Sequence, residues 1–193
     1  LLLAQFGFPA KTTDEVRRAV GNGPRMLIRR VLPERYFSDD AVIDQVLKVY
    51  DRMYGETYMH TESTYDGIQE TLHTLYERNF KLAVLSNKQD LYVKKLAEKY
   101  FPNGEILIAR GQRENVPLKP DPTALKIVME DMKVAPAECV FVGDSGVDVQ
   151  TAANAGVDLI AVAWGFAGRQ ALIECGATVI ADRPQEILNL IHQ

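Results

Sequence analysis

Val140-Phe141-Val142-Gly143-Asp144-Ser145-Gly146-Val147-Asp148 is the stretch whose reading decides the fold. Its first part is apolar and β-branched, and it passes through Gly-Asp into Ala-rich helical sequence. That pattern describes a buried parallel strand delivering two carboxylates to its C-terminal end, the edge at which open α/β sheets bind ligands. Asp144 and Asp148 are therefore the first candidate site residues.

Working outward, helices and strands alternate from Thr64 to the end of the chain. Ile68, Leu72 and Leu75 mark a helix, and Phe80 to Leu85 reads as a strand ending in Ser86-Asn87-Lys88. A helix with Val93, Leu96, Ala97 and Tyr100 leads to a short strand at Ile106 to Ala109. The turn-rich run Gly111 to Pro122 precedes a helix bearing Leu125, Val128, Met129 and Met132. Cys139 to Val142 is the strand of the opening stretch, and its helix is expected to close at Gly156. Leu159 to Ala163 and Thr178 to Ala181 supply the last strands, and Asp182, Pro184 and Gln185 open a terminal helix in a capping-box-like arrangement. This alternation predicts a Rossmann-like parallel α/β core over residues 64–193.

Residues 1–63 have a different texture, helical throughout by apolar period, with no strand expected before Thr64. Leu1 to Phe6 ends a helix at Gly7 and Pro9, and Thr12 or Thr13 caps the next, with Val16, Val20, Leu27 and Val31 on one stripe. Gly21-Asn22-Gly23-Pro24 should interrupt it, since two glycines break the helix and Pro24 suits the first turn of a new one. Ser38 is read as the cap of a helix carrying Val42, Val46, Val49 and Met53, which suits packing as a helical hairpin. The polar stretch Met59-His60-Thr61-Glu62-Ser63-Thr64 is read as a hinge between the two domains.

Composition narrows the function classes. With 193 residues and 47% hydrophobic content, the chain is long enough for one ordinary domain and a small second one. A formal charge of -4 and a pI near 5.4 give no basic footprint for nucleic acid and no membrane-surface patch, which leaves a small molecule as the expected partner. Cys139 and Cys175 are too few for a disulfide framework and lack metal-ligand spacing. They read as buried small hydrophobes in a reducing compartment, so cytoplasmic location is expected. No apolar run approaches the roughly 18 residues of a spanning helix, and Leu1-Leu2-Leu3 lacks the basic region and cleavage site of a signal peptide.

Three polar groups follow strand ends or loops. Ser86 and Asn87 offer a hydroxyl and an amide that could bind phosphate oxygens, or serve only as a helix cap. In Lys119-Pro120-Asp121-Pro122 the prolines stiffen the loop and Asp121 can cap the helix, leaving Lys119 either a pre-positioned cation or a solvated one. Asp144 with Asp148 makes an oxygen-rich pair suited to hydrated Mg²⁺, although an acidic residue at a helix start also complements the dipole.

Together these residues carry a resemblance. Leu85-Ser86-Asn87, Lys119-Pro120-Asp121-Pro122 and Val142 to Asp148, followed by Ala152-Ala153-Asn154-Ala155-Gly156, resemble the second, third and fourth motifs of the haloacid dehalogenase superfamily. The likeness extends over essentially the whole chain and is nearest the phosphoglycolate phosphatase-like branch, with its helical cap and the Trp164-Gly165-Phe166 segment. It implies an α/β core with a small α-helical cap and Mg²⁺-dependent phosphoryl transfer through an aspartyl-phosphate. In that scheme Ser86 and Asn87 bind the phosphoryl group, Lys119 holds the nucleophile and neutralises developing charge, and Asp144 ligates the metal with support from Asp148. Asn22 and Arg25, in or beside the glycine loop, are the candidates for the non-phosphate end of the substrate. Phosphoglycolate, a sugar phosphate or pyrophosphate is the expected substrate, and a monomer or homodimer the expected state. A non-catalytic binding or assembly protein and a phosphomutase stand as alternatives.

The family's first motif, Asp-x-Asp-Gly-Thr, has no match here. Tyr65-Asp66-Gly67-Ile68 resembles it superficially, but follows the helical segment rather than an apolar strand, and Asp66 is read as a helix cap. The nucleophile is therefore expected in a segment upstream of Leu1, on a strand between those ending at Ser86 and Asp144. Without that strand the two would stand about 9.6 Å apart, twice the spacing of paired neighbours, and residues 1–193 are expected to have no turnover by themselves.

Overall fold

A computed structural model describes residues 1–60 and 63–191 and divides the chain into two compact units, Leu1–Glu62 and Ser63–Gln193. Thr61 and Glu62 of the stretch read as a hinge lie outside the described residues. No helix among the described residues is long and apolar enough to cross a membrane.

The first unit contains α1 (Leu2–Gln5), α2 (Thr13–Ala19), α3 (Gly23–Val31) and α4 (Asp40–Thr57). Thr12 caps α2 through a capping box: its hydroxyl accepts from the Glu15 N–H, and the Glu15 carboxylate accepts from the Thr12 N–H at 2.8 Å. That N–H, with Lys11 and the Thr12 hydroxyl, draws the Glu15 carboxyl down to about 2. The glycine loop breaks the chain as expected, and Pro24 stands in the first turn of α3. Two expectations give way here. Asp39, not Ser38, caps α4, because its carboxylate is the one placed three residues before the Val42 N–H and accepts from it at 3.1 Å. Val16 and Val20 are 38% and 39% exposed, because the loop at 21–23 rotates α3 relative to α2 and one stripe cannot run through both. The buried seam is instead Ile28 and Leu32 against Ile43 and Val46.

The second unit alternates as α5 (Ile68–Glu77), β1 (Leu82–Gln89), α6 (Asp90–Tyr100), β2 (Ile106–Gln112), α7 (Thr123–Met132), β3 (Val140–Gly143), α8 (Gly146–Ala155), β4 (Asp158–Val162), α9 (Arg169–Glu174), β5 (Ile180–Ala181) and α10 (Ile187–Leu190). All pairings are parallel, in two sheets of order β1-β2 and β3-β4-β5. Among the described residues β1 and β3 form no ladder with each other. Leu75, Ile160, Val162, Ala181 and Ile187 make one core cluster, and Leu125, Met129, Phe141, Ala152 and Ala155 make another. The apolar positions expected on α7 are all buried, and α8 stops at Gly156, whose φ of 69° is the left-handed C-cap conformation that favours glycine.

Several boundaries differ from expectation. β1 runs through Ser86-Asn87-Lys88 to Gln89, which pairs with Gln112 after a register shift, so the polar residues lie within the strand rather than after it. Gly67, at φ 82°, holds the N-cap of α5, and Asp66 is an exposed residue beside it. Cys139 is half-buried against the core, where desolvation raises its thiol pKa, whereas Cys175 is exposed, because α9, not foreseen in the sequence, ends there. A single tight turn at Pro184–Glu186 precedes α10, with Glu186 accepting from the Asp182 N–H at 2.8 Å.

The packing makes a graded expectation. Ile43→Ala empties a fully buried position and should lower unfolding free energy by about 2–5 kcal/mol, while Val16→Ala on the exposed side of α2 should change it by about 0.5 kcal/mol or less. Urea unfolding followed by circular dichroism ranks the two variants.

Candidate active site

Three pieces of the second unit supply the candidate residues. β1 brings Ser86 and Asn87, the loop after β2 brings Lys119, and the β3–α8 turn brings Asp144, Ser145 and Asp148. The local sequence explains the turn. Ser145 is the N-cap of α8 and Asp148 falls in the first helical turn, where the Ser145 hydroxyl donates to Asp148 Oδ2 at 2.7 Å and the Asp144 N–H donates to the same oxygen at 3.2 Å. Gly143 leaves room for this fold-back, since a Cβ built there would lie 2.6 Å from Asp148 Cγ.

Asp148 Oδ1 faces Lys119. The ammonium donates to it at 2.7 Å and to the Leu85 carbonyl oxygen at 3.2 Å, and lies 5.3 Å from the centre of the Phe141 ring. Side-chain exposures of 11% for Lys119 and 8% for Asp148 make this a buried pair, unlike the other ion pairs among the described residues. The Lys119 backbone is held as firmly. Asn87 Nδ2 donates to the Lys119 carbonyl and the Lys119 N–H donates to Asn87 Oδ1, both at 2.9 Å. Asn154 Nδ2 donates to the next carbonyl, that of Pro120, at 2.9 Å. The loop then enters α7 through Asp121, whose carboxylate accepts from the Thr123 N–H at 2.8 Å and is held below the usual carboxylate range by the Thr123 hydroxyl and that N–H.

Ser86 is half-buried, and its hydroxyl accepts from the Lys88 N–H at 3.2 Å, a bond that leaves the O–H proton available to donate. Asp144 is half-buried, with Oδ2 accepting from the Phe166 N–H at 2.9 Å. Hydrogen bonds thus tie Asn87, Lys119, Asp148 and Asp144 together, and Ser86 stands on β1 between Leu85 and Asn87, the two residues that bond Lys119. Asn22 and Arg25 belong to the other unit. Asn22 stands at the N-cap of α3 with no side-chain cap bond, and the Arg25 guanidinium pairs with Asp44 and, at 2.8 Å, with Asp40.

Among the described residues no three His, Cys, Asp or Glu side chains gather as a self-contained metal cluster. Mg²⁺ does not require one, because it keeps several waters and binds through one or two carboxylates together with substrate phosphates. The residues present suit that mode. Asp144 has Oδ2 engaged by the Phe166 N–H and Oδ1 directed to no hydrogen bond among the described residues, while both oxygens of Asp148 are occupied. The sequence pointed to the side chains of this site but not to Leu85 O or the Phe166 N–H, since backbone groups leave no mark in residue types.

A parallel α/β core that carries a hydroxyl on one strand and sets a buried ammonium and two carboxylates on the loop and turn that follow others is a Rossmann-like fold of the haloacid dehalogenase type. Comparison with known proteins agrees. The sequence model of haloacid dehalogenase-like hydrolases matches residues 1–162, and the chain belongs to that family. A phosphoglycolate phosphatase of Pseudomonas savastanoi pv. phaseolicola is 34% identical over 185 residues, covering 94% of this chain and 68% of the relative. Phosphoglycolate phosphatase 1 of Pseudomonas aeruginosa is 30% identical over 195 residues, covering 100% and 71%. The crystal structure of a candidate phosphoglycolate phosphatase from Lactobacillus delbrueckii subsp. bulgaricus superposes with a TM-score of 0.90 at 28% identity, covering 98% of this chain and 87% of that one.

The buried pair sets an asymmetry that unfolding can measure. Asp148→Ala strands the Lys119 ammonium without its counter-ion and should cost about 3–5 kcal/mol, whereas the double change Lys119→Met with Asp148→Leu should recover much of that loss. Urea denaturation of the three proteins gives the comparison.

Proposed function

We propose that this protein is a Mg²⁺-dependent phosphatase of a small phosphorylated metabolite, phosphoglycolate or a close analogue such as a sugar phosphate. The observation that carries the reading is the buried Lys119 ammonium, fixed between the Leu85 carbonyl, one residue before Ser86, and Asp148, which also accepts from the Asp144 N–H. The names of the relatives at 30–34% identity support the substrate class.

In this reading the Ser86 O–H donates to a phosphoryl oxygen, and Lys119 offers its positive charge where negative charge collects. Asn87 acts through Lys119, clamping its backbone on both sides, rather than on the substrate itself. Asp144 would hold the metal through Oδ1, with Asp148 acting one layer out by orienting Lys119 and the turn. A Mg²⁺ held by Asp144 would supply positive charge to offset that of the phosphoryl group. The reading calls for an attacking carboxylate that none of the site residues described above supplies, and a strand between β1 and β3 would place it beside Lys119. That carboxylate oxygen bonds to phosphorus as the ester P–O bond breaks and the leaving alkoxide takes a proton, and water then hydrolyses the acyl phosphate. The helical unit is proposed as the element that selects the substrate. Arg25 would serve there only on leaving Asp40 and Asp44, so Asn22 is the readier of the two candidates.

The test is phosphate release by the complete natural chain from phosphoglycolate and a panel of sugar phosphates. Chelation with EDTA should abolish activity and Mg²⁺ restore it, Asp144→Asn should lower kcat by about 10²–10³-fold, and residues 1–193 alone should release none. Turnover that survives both chelation and Asp144→Asn overturns the reading.

A further inference from the structure

The Asp144 side chain is bounded by the segment that follows β4. Ala163 donates its N–H to the Ala181 carbonyl at 2.9 Å, and Trp164 packs against the cluster of Leu75, Ile160 and Val162, so the segment leaves the sheet already anchored. Two residues on, the Phe166 N–H bonds Asp144 Oδ2 at 2.9 Å, and the Ala167 N–H reaches the Asp144 carbonyl at 3.3 Å. Just before these bonds Gly165 presses on the carboxylate: a Cβ built there would overlap Asp144 Cβ and Oδ2 and lie 2.6 Å from Cγ. The φ of Gly165 lies outside the left-handed region, so backbone conformation does not call for glycine at this position. Space does. Phe166 is 52% exposed and belongs to none of the core clusters among the described residues, so its contribution to this turn is its N–H.

We propose that Gly165 and the Phe166 N–H are positioning elements for Asp144, holding Oδ2 so that Oδ1 is presented to a divalent cation. This inference rests on the reading of Asp144 as a metal ligand. An unheld carboxylate samples several rotamers and loses that freedom when it binds an ion, whereas one held by an N–H and walled by a glycine has lost it already on folding. Groups that orient a ligating carboxylate typically govern metal affinity by about 10- to 100-fold.

Mn²⁺ is the probe, titrated calorimetrically and by electron paramagnetic resonance into the complete natural chain without substrate. Gly165→Ala should weaken Mn²⁺ binding by about 10- to 100-fold while urea unfolding still shows a folded protein. An amide-to-ester replacement at Phe166, which removes only the N–H, should weaken it in the same direction and serves where Gly165→Ala fails to fold. Asp144→Asn separates the two levels of the argument. If it binds Mn²⁺ as the natural protein does, the metal reading itself falls. If it abolishes binding while Gly165→Ala and the ester bind normally, the positioning role alone is overturned.

Discussion

A buried ammonium tolerates few arrangements, and the candidate site is built around one. Lys119 would be costly to desolvate alone, so it is met by a carboxylate from the first turn of α8, a carbonyl from β1 and the face of Phe141 from β3. Leu85 and Phe141 belong to different sheets, and α8 follows the second of them. The ion pair and the carbonyl bond therefore register the two halves of the α/β unit against each other where, among the described residues, no backbone ladder does so.

Asp148 answers to several demands at once. It is the counter-ion of Lys119, it accepts from the Ser145 hydroxyl and the Asp144 N–H, and it sits where a helix start favours negative charge. Its neighbour Asp144 is left with one oxygen for other work. The division of labour follows from two glycines. Gly143 lets Asp148 fold back over the strand end, and Gly165 lets the chain after β4 press against Asp144.

What was legible in the sequence was what is local. The apolar strand passing through Gly-Asp into an Ala-rich helix announced the Asp144–Asp148 turn, and Gly156 announced its end, because each feature is decided within a few residues. Alternation announced the α/β unit for the same reason. The stripe through Val16 and Val20 failed because a glycine loop resets helical phase, which apolar spacing does not record. Ser38 and Asp39 are both good caps, and only the geometry of the turn into α4 separates them. Asn87 was legible as a polar residue near the site, but not its target, since a clamp on the backbone of Lys119 depends on a loop 32 residues away. The Phe166 N–H is subtler still, being a group that every residue but proline possesses.

The bonds that define the site span 22 residues from Phe166 to Asp144, 29 from Lys119 to Asp148 and 32 from Asn87 to Lys119. Contacts of such separation form only after the intervening chain has been closed into loops, and they are slow to arrive in folding. The constellation therefore has no counterpart in the unfolded or half-collapsed chain. A nascent polypeptide cannot assemble its charged centre ahead of its sheets, and any loosening between the strands dismantles that centre before the local helices need melt.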